Sequence, residues 1–125
     1  MLNFRLKALT ASIMFALTIT EHAQAQTPKI SNDVVKIGVL TDMGGPFSDI
    51  GGPGGIVATR MAVEDFGGKV LGKPIEVISA DHQNKPDIGV AKAREWMDVE
   101  QVDMLADVMN SAVALAVVRL VKEKN

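Results

Sequence analysis

Apolar and polar positions alternate along this chain in blocks that change period. VVKIGVL, from Val34 to Leu40, is short, rich in β-branched residues and apolar on both faces apart from Lys36. That pattern predicts a strand buried on two sides. A glycine-rich loop follows, and then a helix from about Gly54 to Phe66. Ala58, Met61, Ala62 and Phe66 fall at i, i+3, i+4 and i+8 and form its expected inward stripe, with Arg60, Glu64 and Asp65 largely off it. Gly67-Gly68 is a suitable stop. Val70 to Pro74 is expected to turn the chain, and IEVISA (Ile75 to Ala80) reads as a second strand. After the polar DHQNK, Pro86 can open a helix running to about Glu100, with Val90, Ala93, Trp96 and Met97 inward. VDMLADV (Val102 to Val108) reads as a third strand and Met109-Asn110-Ser111 as a hinge. A third helix is expected from near Ser111 toward Lys122.

The order β-α-β-α-β-α predicts an α/β fold. Right-handed helical crossovers connect parallel strands and place helices on both faces, giving a three-layer parallel sheet with strand order 2-1-3. There is no internal repeat or low-complexity tract. A fourth strand is expected where Lys122-Glu123-Lys124-Asn125 stands, and the third helix, apolar on all sides from Ala112 to Val118, needs more sheet to bury it. The pattern is that of a fragment of something larger.

The first 25 residues have a different character. Arg5 and Lys7 precede an uncharged apolar run from Ala8 to Thr20, and Ala23-Gln24-Ala25 supplies a small-x-small site. These are the three parts of a cleaved secretory signal peptide, which leaves residues 26–125 as the mature chain. The run is too short to be a membrane anchor. With no cysteine at the junction for lipid attachment, the exported chain is expected to be soluble, and export without cysteine suits a bacterial periplasm.

Composition removes several chemistries. A formal net charge of −2 gives no basic footprint for nucleic acid. Absence of cysteine removes thiol catalysis and Cys-ligated zinc, and the only histidines, His22 and His82, are far apart, so no metal site is expected. The segment GGPFSDIGGPGG holds six of the eleven glycines. It lacks the spacing of a Walker A phosphate loop. As a dinucleotide fingerprint it has Gly52 and Gly54 but Val57 at the third position. No cofactor is therefore expected. What remains is a pocket that a small polar ligand approaches closely, or a plain surface turn.

In such sheets ligands bind beyond the C-terminal strand ends, where strand order reverses. The loops after strands one and three would meet there. The helix start near Ser111 favours an anion. Ser111 can equally serve only as a helix N-cap, and Asn110 only as a turn residue or as an amide on the ligand. Asp42 and Asp49 read as ordinary loop aspartates. Asp81-His82 lacks a nucleophile or third orienting group, so no enzyme is indicated. Met61, Met97, Met104 and Trp96 read as core or helix-interface residues.

IGVLTDMGGPFSDIGGPG, AVEDFGG, VISADHQNKPDIG and NSAVALAV together resemble the N-terminal lobe of periplasmic solute-binding proteins of ABC transporters, nearest to the branched-chain amino acid (Leu/Ile/Val-binding) class. The resemblance runs from about Val34 to Asn125 and implies two α/β lobes that clamp a ligand, with a transporter permease in the inner membrane as partner. It implies that Phe47, Ser48 and Asp49 line the cleft and that Asn110 and Ser111 hold a ligand carboxylate. Phe47 would be an aromatic wall or, alternatively, a buried staple for its own loop. The GGPG and NSAVALAV variants are most similar to a branch for aromatic or other organic acids. Family members are much longer, so this chain alone is expected to bind weakly or not at all. The competing expectations are an exported flavodoxin-like or Rossmann-like enzyme and a sensory ligand-binding domain.

Overall fold

A computed structural model describes residues 32–124. The expected signal peptide and its cleavage site lie outside the described residues. The elements are β1 (Val35–Thr41), α1 (Gly52–Asp65), β2 (Lys69–Val70), β3 (Lys73–Asp81), α2 (Pro86–Glu95), β4 (Met104–Ala106) and α3 (Ser111–Lys124). No helix among the described residues is long and apolar enough to cross a membrane.

β1 is the central strand, as its apolar character on both faces requires. It pairs in parallel with β3, from Val35 opposite Ile75 to Thr41 opposite Asp81, and on its other side with β4, from Ile37 opposite Met104 to Val39 opposite Ala106. This is the expected 2-1-3 arrangement of the three parallel strands. The sheet is nevertheless mixed, with order β2-β3-β1-β4. The Val70 to Pro74 region is a hairpin rather than a simple turn: Lys69 and Val70 pair antiparallel with Pro74 and Lys73. Leu71 and Gly72, at φ 51° and 78°, form the left-handed two-residue turn that suits the twist of a hairpin.

Helices α2 and α3 cover one face. Leu40, Ala93, Trp96, Val113, Val117 and Leu120 form the core there, none more than 3% exposed. Gly38 of β1 makes room for the indole: a Cβ at this position would lie 2.5 Å from Trp96 Cζ3. Gly89 does the same for α2 against α3, where a Cβ would come within 2.5 Å of Val113 Cγ1. The expected inward residues of α2 are thus correctly placed. Past Glu95 the chain widens into a π-helical turn, Trp96–Glu100, closed by left-handed Gln101. The third strand is shorter than its apolar run: Asp103 exchanges backbone and side-chain hydrogen bonds with Lys36, and Asp107 turns left-handed at φ 58°.

On the other face, α1 corrects the sequence reading. Ala58, Met61, Ala62 and Phe66, the expected inward stripe, are exposed, Met61 by 57% and Phe66 by 66%. The helix buries Gly52 and Ile56, with Thr59 and Val63 half-buried along the same line. The sequence offers two overlapping apolar stripes, and the first turn chooses between them. Gly52 donates its N–H to Thr41 Oγ1 at 2.9 Å, fixing the rotation of the helix on β1. Met104, 56% exposed on the edge strand, is likewise not a core residue, whereas Trp96 and Met97 belong to the core cluster.

Candidate functional site

Three loops leave the C-terminal end of the parallel strands, and hydrogen bonds tie them together. The loop after β1 is organised by Asp42, which is fully buried. Its carboxylate accepts the N–H of Gly45 at 2.9 Å and of Phe47 at 3.0 Å, so an Asx-type turn wraps around a buried charge. Ser48 Oγ donates to the Gly45 carbonyl at 2.7 Å, and the Phe47 carbonyl accepts from Ile50 and Gly51. Two of the glycines follow from this packing, whereas Gly44 and Gly54 have open space around them. A Cβ on Gly45 would sit 2.5 Å from an Asp42 carboxylate oxygen, and Gly52 combines φ +49° with close approach to the Asp42 carbonyl.

The loop after β4 meets the same segment. The Asp107 carboxylate lies against the backbones of Gly51 and Gly55, where side chains would overlap it, and Met109 packs on Gly51. Oδ2 of Asp107 is buried without a hydrogen-bond partner and lies beside the first turn of α1, whose dipole favours a negative charge. Asn110 then caps α3: its Oδ1 accepts the N–H groups of Ala112 at 2.7 Å and Val113 at 3.0 Å. The cap is therefore Asn110 and not Ser111. Ser111 is the exposed first residue of the helix. Among the described residues its amide and hydroxyl have no protein partner.

The loop after β3 completes the platform. Asp81 Oδ1 accepts from Met43 N–H at 3.2 Å and Gln83 N–H at 2.7 Å, and His82 N–H donates to the Thr41 carbonyl at 2.9 Å. His82 is fully buried, and its Nδ1 accepts the Asn84 N–H at 3.0 Å, so a ring proton sits on Nε2. Asn84 Oδ1 accepts from Asn110 Nδ2. Asp81 Oδ1 and His82 Nδ1 are thus committed to backbone groups, while His82 Nε2 is buried without a hydrogen-bond partner among the described residues. Among the described residues no group of three His, Asp or Glu side chains is placed to hold a metal ion.

Because β1 and β4 are parallel neighbours, the two sets of expected residues stand at one end of the sheet. Phe47 and Ser48 are half-buried and Asp49 is exposed on the first loop; Asn110 and Ser111 begin α3. The direct packing between these regions runs through Gly51, Asp107 and Met109. Asp42 is buried and Asp49 exposed, so they form no acid pair. Sequence reasoning missed the organising roles of Asp42, Asp107 and Asn84. Only Asp42 had a local signal, an aspartate three residues before a glycine. A cavity of about 740 Å³ lies elsewhere: an apolar groove between the edge of β4 and α3, lined by Leu105, Val108, Val117 and Val121 among others.

Residues 34–125 match the family described as periplasmic binding protein. A periplasmic binding protein from Burkholderia mallei is 59% identical over 74% of this chain and 24% of its own, with a TM-score of 0.72. A branched-chain amino acid ABC transporter periplasmic ligand-binding protein from Burkholderia xenovorans LB400 is 49% identical over 72% of this chain and 24% of its own, with a TM-score of 0.70. A solute-binding protein of an ABC transporter from Rhodopseudomonas palustris BisB5, solved with 3,4-dihydroxybenzoic acid, is 28% identical over 74% and 25%, with a TM-score of 0.65. The chain spans about a quarter of the length of these structures. A search of curated proteins returns no match. The chain belongs to the periplasmic binding protein family, and its strand order fits part of one lobe of that fold.

Proposed function

We propose, from its place in the periplasmic binding protein family, that this chain forms one wall of the ligand cleft of an ABC-transporter solute-binding protein, taking a small carboxylate. The observation that carries the reading is the meeting of the glycine loop and the start of α3 at one end of the sheet. Asn110 occupies the amides of Ala112 and Val113 and leaves the Ser111 N–H and hydroxyl to a ligand. A carboxylate there would gain charge-assisted hydrogen bonds and the positive end of a 14-residue helix. Phe47 supplies an apolar surface, and Ser48, whose proton is used within the loop, keeps lone pairs for a ligand donor. In this reading Asp49, exposed on the same loop, would meet the ammonium of an amino acid.

The ligand class spans the two chemistries of the relatives, a branched-chain amino acid or a benzoic acid, which share the carboxylate. In this reading residues 1–25 direct export to the periplasm, residues 26–125 are part of an N-terminal lobe, and an inner-membrane permease receives the loaded protein. Neither catalysis nor a cofactor enters it. With one wall, contact area is small and affinity low.

The test is a titration of the ¹⁵N-labelled chain with benzoate and with leucine, followed by NMR. The amides of Ser111 and of Phe47 to Asp49 are expected to shift at millimolar ligand. No shift at these residues, or shifts confined elsewhere, overturns the reading, and micromolar affinity overturns the one-wall account.

A further inference from the structure

We propose that the outward face of α1 is a docking surface for a second copy of this chain, with the two helices antiparallel across a two-fold axis level with Ala62. The proposal is independent of the ligand reading above. α1 carries apolar residues on two sides. Ile56, Thr59 and Val63 lie along the side packed on the sheet, whereas Val57, Ala58, Met61, Ala62 and Phe66 are exposed, the three large ones by more than half. Single exposed apolar side chains are ordinary, but these are contiguous. Val57 and Met61 form one i, i+4 row, and Ala58, Ala62 and Phe66 form the next. Two such rows with a groove between them are what ridges-into-grooves packing needs, and the small side chains of Ala58 and Ala62 let a second helix come close.

The charges beside this face say what covers it. Arg60 and Glu64 stand at i, i+4 on the flank next to Val57 and Met61. Both are exposed, and neither makes an ion pair among the described residues. A two-fold axis that sets the helices antiparallel brings like flank to like flank and reverses the order along it. With the axis level with Ala62, each residue before Ala62 lies opposite the one equally far after it. Arg60 then meets the partner's Glu64 and Glu64 meets the partner's Arg60, so the contact forms two ion pairs at once. Phe66 comes level with the partner's Ala58, large against small, and Met61 meets its own copy near the axis. A parallel two-fold would instead set Arg60 against Arg60 and Glu64 against Glu64. The order Arg-x-x-x-Glu is thus complementary to itself in one direction only. Asp65 ends the first row, and a crossing angle of about 50° carries it away from the partner into water.

Sedimentation equilibrium of the full chain is expected to show a reversible dimer, and Met61→Lys a monomer. Arg60→Glu and Glu64→Arg each turn two attractive pairs into two repulsive ones and should raise the dimer dissociation constant about tenfold. Mixed in equal amounts, these two variants should associate with each other as the unmutated chain does with itself, because one carries only acids and the other only arginines at the two positions. Raised salt should weaken the unmutated dimer. All three positions are exposed, so far-UV circular dichroism should not change, and rescue on mixing excludes a folding defect as the cause. A chain that stays monomeric at millimolar concentration overturns the proposal. So does an association that Met61→Lys leaves intact, which would place the contact elsewhere, as at the groove between β4 and α3. A mixture that pairs no more tightly than either variant alone overturns it as well.

Discussion

Replacing Asp42 by asparagine tests the account of the glycine loop most directly. The carboxylate is fully buried and accepts two backbone amides, Gly45 at 2.9 Å and Phe47 at 3.0 Å. Hydrogen bonds to a charged acceptor contribute about 1.5–3 kcal/mol each. Asparagine has nearly the same shape, but only one of its two ends accepts. One amide keeps its partner and the other faces an NH₂ group. The loop is partly open to water, so the displaced amide can be resolvated if residues 44–48 loosen. The expected loss is therefore that of one such bond, about 1.5–3 kcal/mol. Urea denaturation would read it as a lower midpoint at unchanged slope, and hydrogen exchange would show faster exchange at Gly45 and Phe47. Stability within about 0.5 kcal/mol of the unmutated chain, with both amides still protected, would refute Asp42 as the organiser of this loop.

Two further outcomes follow from packing and charge. Gly38→Ala would drive a methyl to 2.5 Å from the Trp96 ring, and overpacking at such a site costs about 1–3 kcal/mol; equal stability with an unshifted emission from the single tryptophan would count against that packing. Lys73 holds the exposed Asp33 carboxyl below its ordinary value of 3.8, by hydrogen bond first and by charge second. A lowered folded pKa means that the pair stabilises above the ordinary carboxylate range and loses this as pH falls through the folded value. Lys73→Met should return the Asp33 titration seen by NMR to its ordinary midpoint, and salt should shrink the difference between the two proteins. Identical titration curves would exclude the pairing.

The parts of the fold legible in the sequence were those encoded locally. β1 and β3 are continuous apolar runs, α2 has one apolar stripe, and their alternation implies parallel pairing with the first strand central. β2 escaped because two residues carry no periodicity, and its turn lacks the Asn-Gly signal of most such hairpins. The rotation of α1 was ambiguous between Ile56-Thr59-Val63 and Ala58-Met61-Ala62. A hydrogen bond from the Gly52 N–H to Thr41, eleven residues earlier, chose the first. Asn110 and Ser111 are both good caps by residue type, and only the folded geometry shows that Asn110 Oδ1 takes the Ala112 and Val113 N–H groups. The meeting of the two loops was readable because topology alone dictates it. Why Gly51 and Gly55 are needed was not, since Asp107 approaches them only after β4 has joined the sheet; Gly44 and Gly54 have open space around them.

That central position of β1 also sets a timetable. As the chain emerges from synthesis, β1 is the first of the described strands to appear and has both edges bare. Forty residues separate Val35 from its partner Ile75, and sixty-seven separate Ile37 from Met104. At about 5–20 residues per second, the first partner arrives roughly 2–8 s later and the second roughly 3–13 s later. Until β3 arrives an uncharged IGVL run stands open on two sides, and until β4 arrives it stands open on one. The strand that unites the finished sheet is thus, among the described strands, the one that waits longest for a partner.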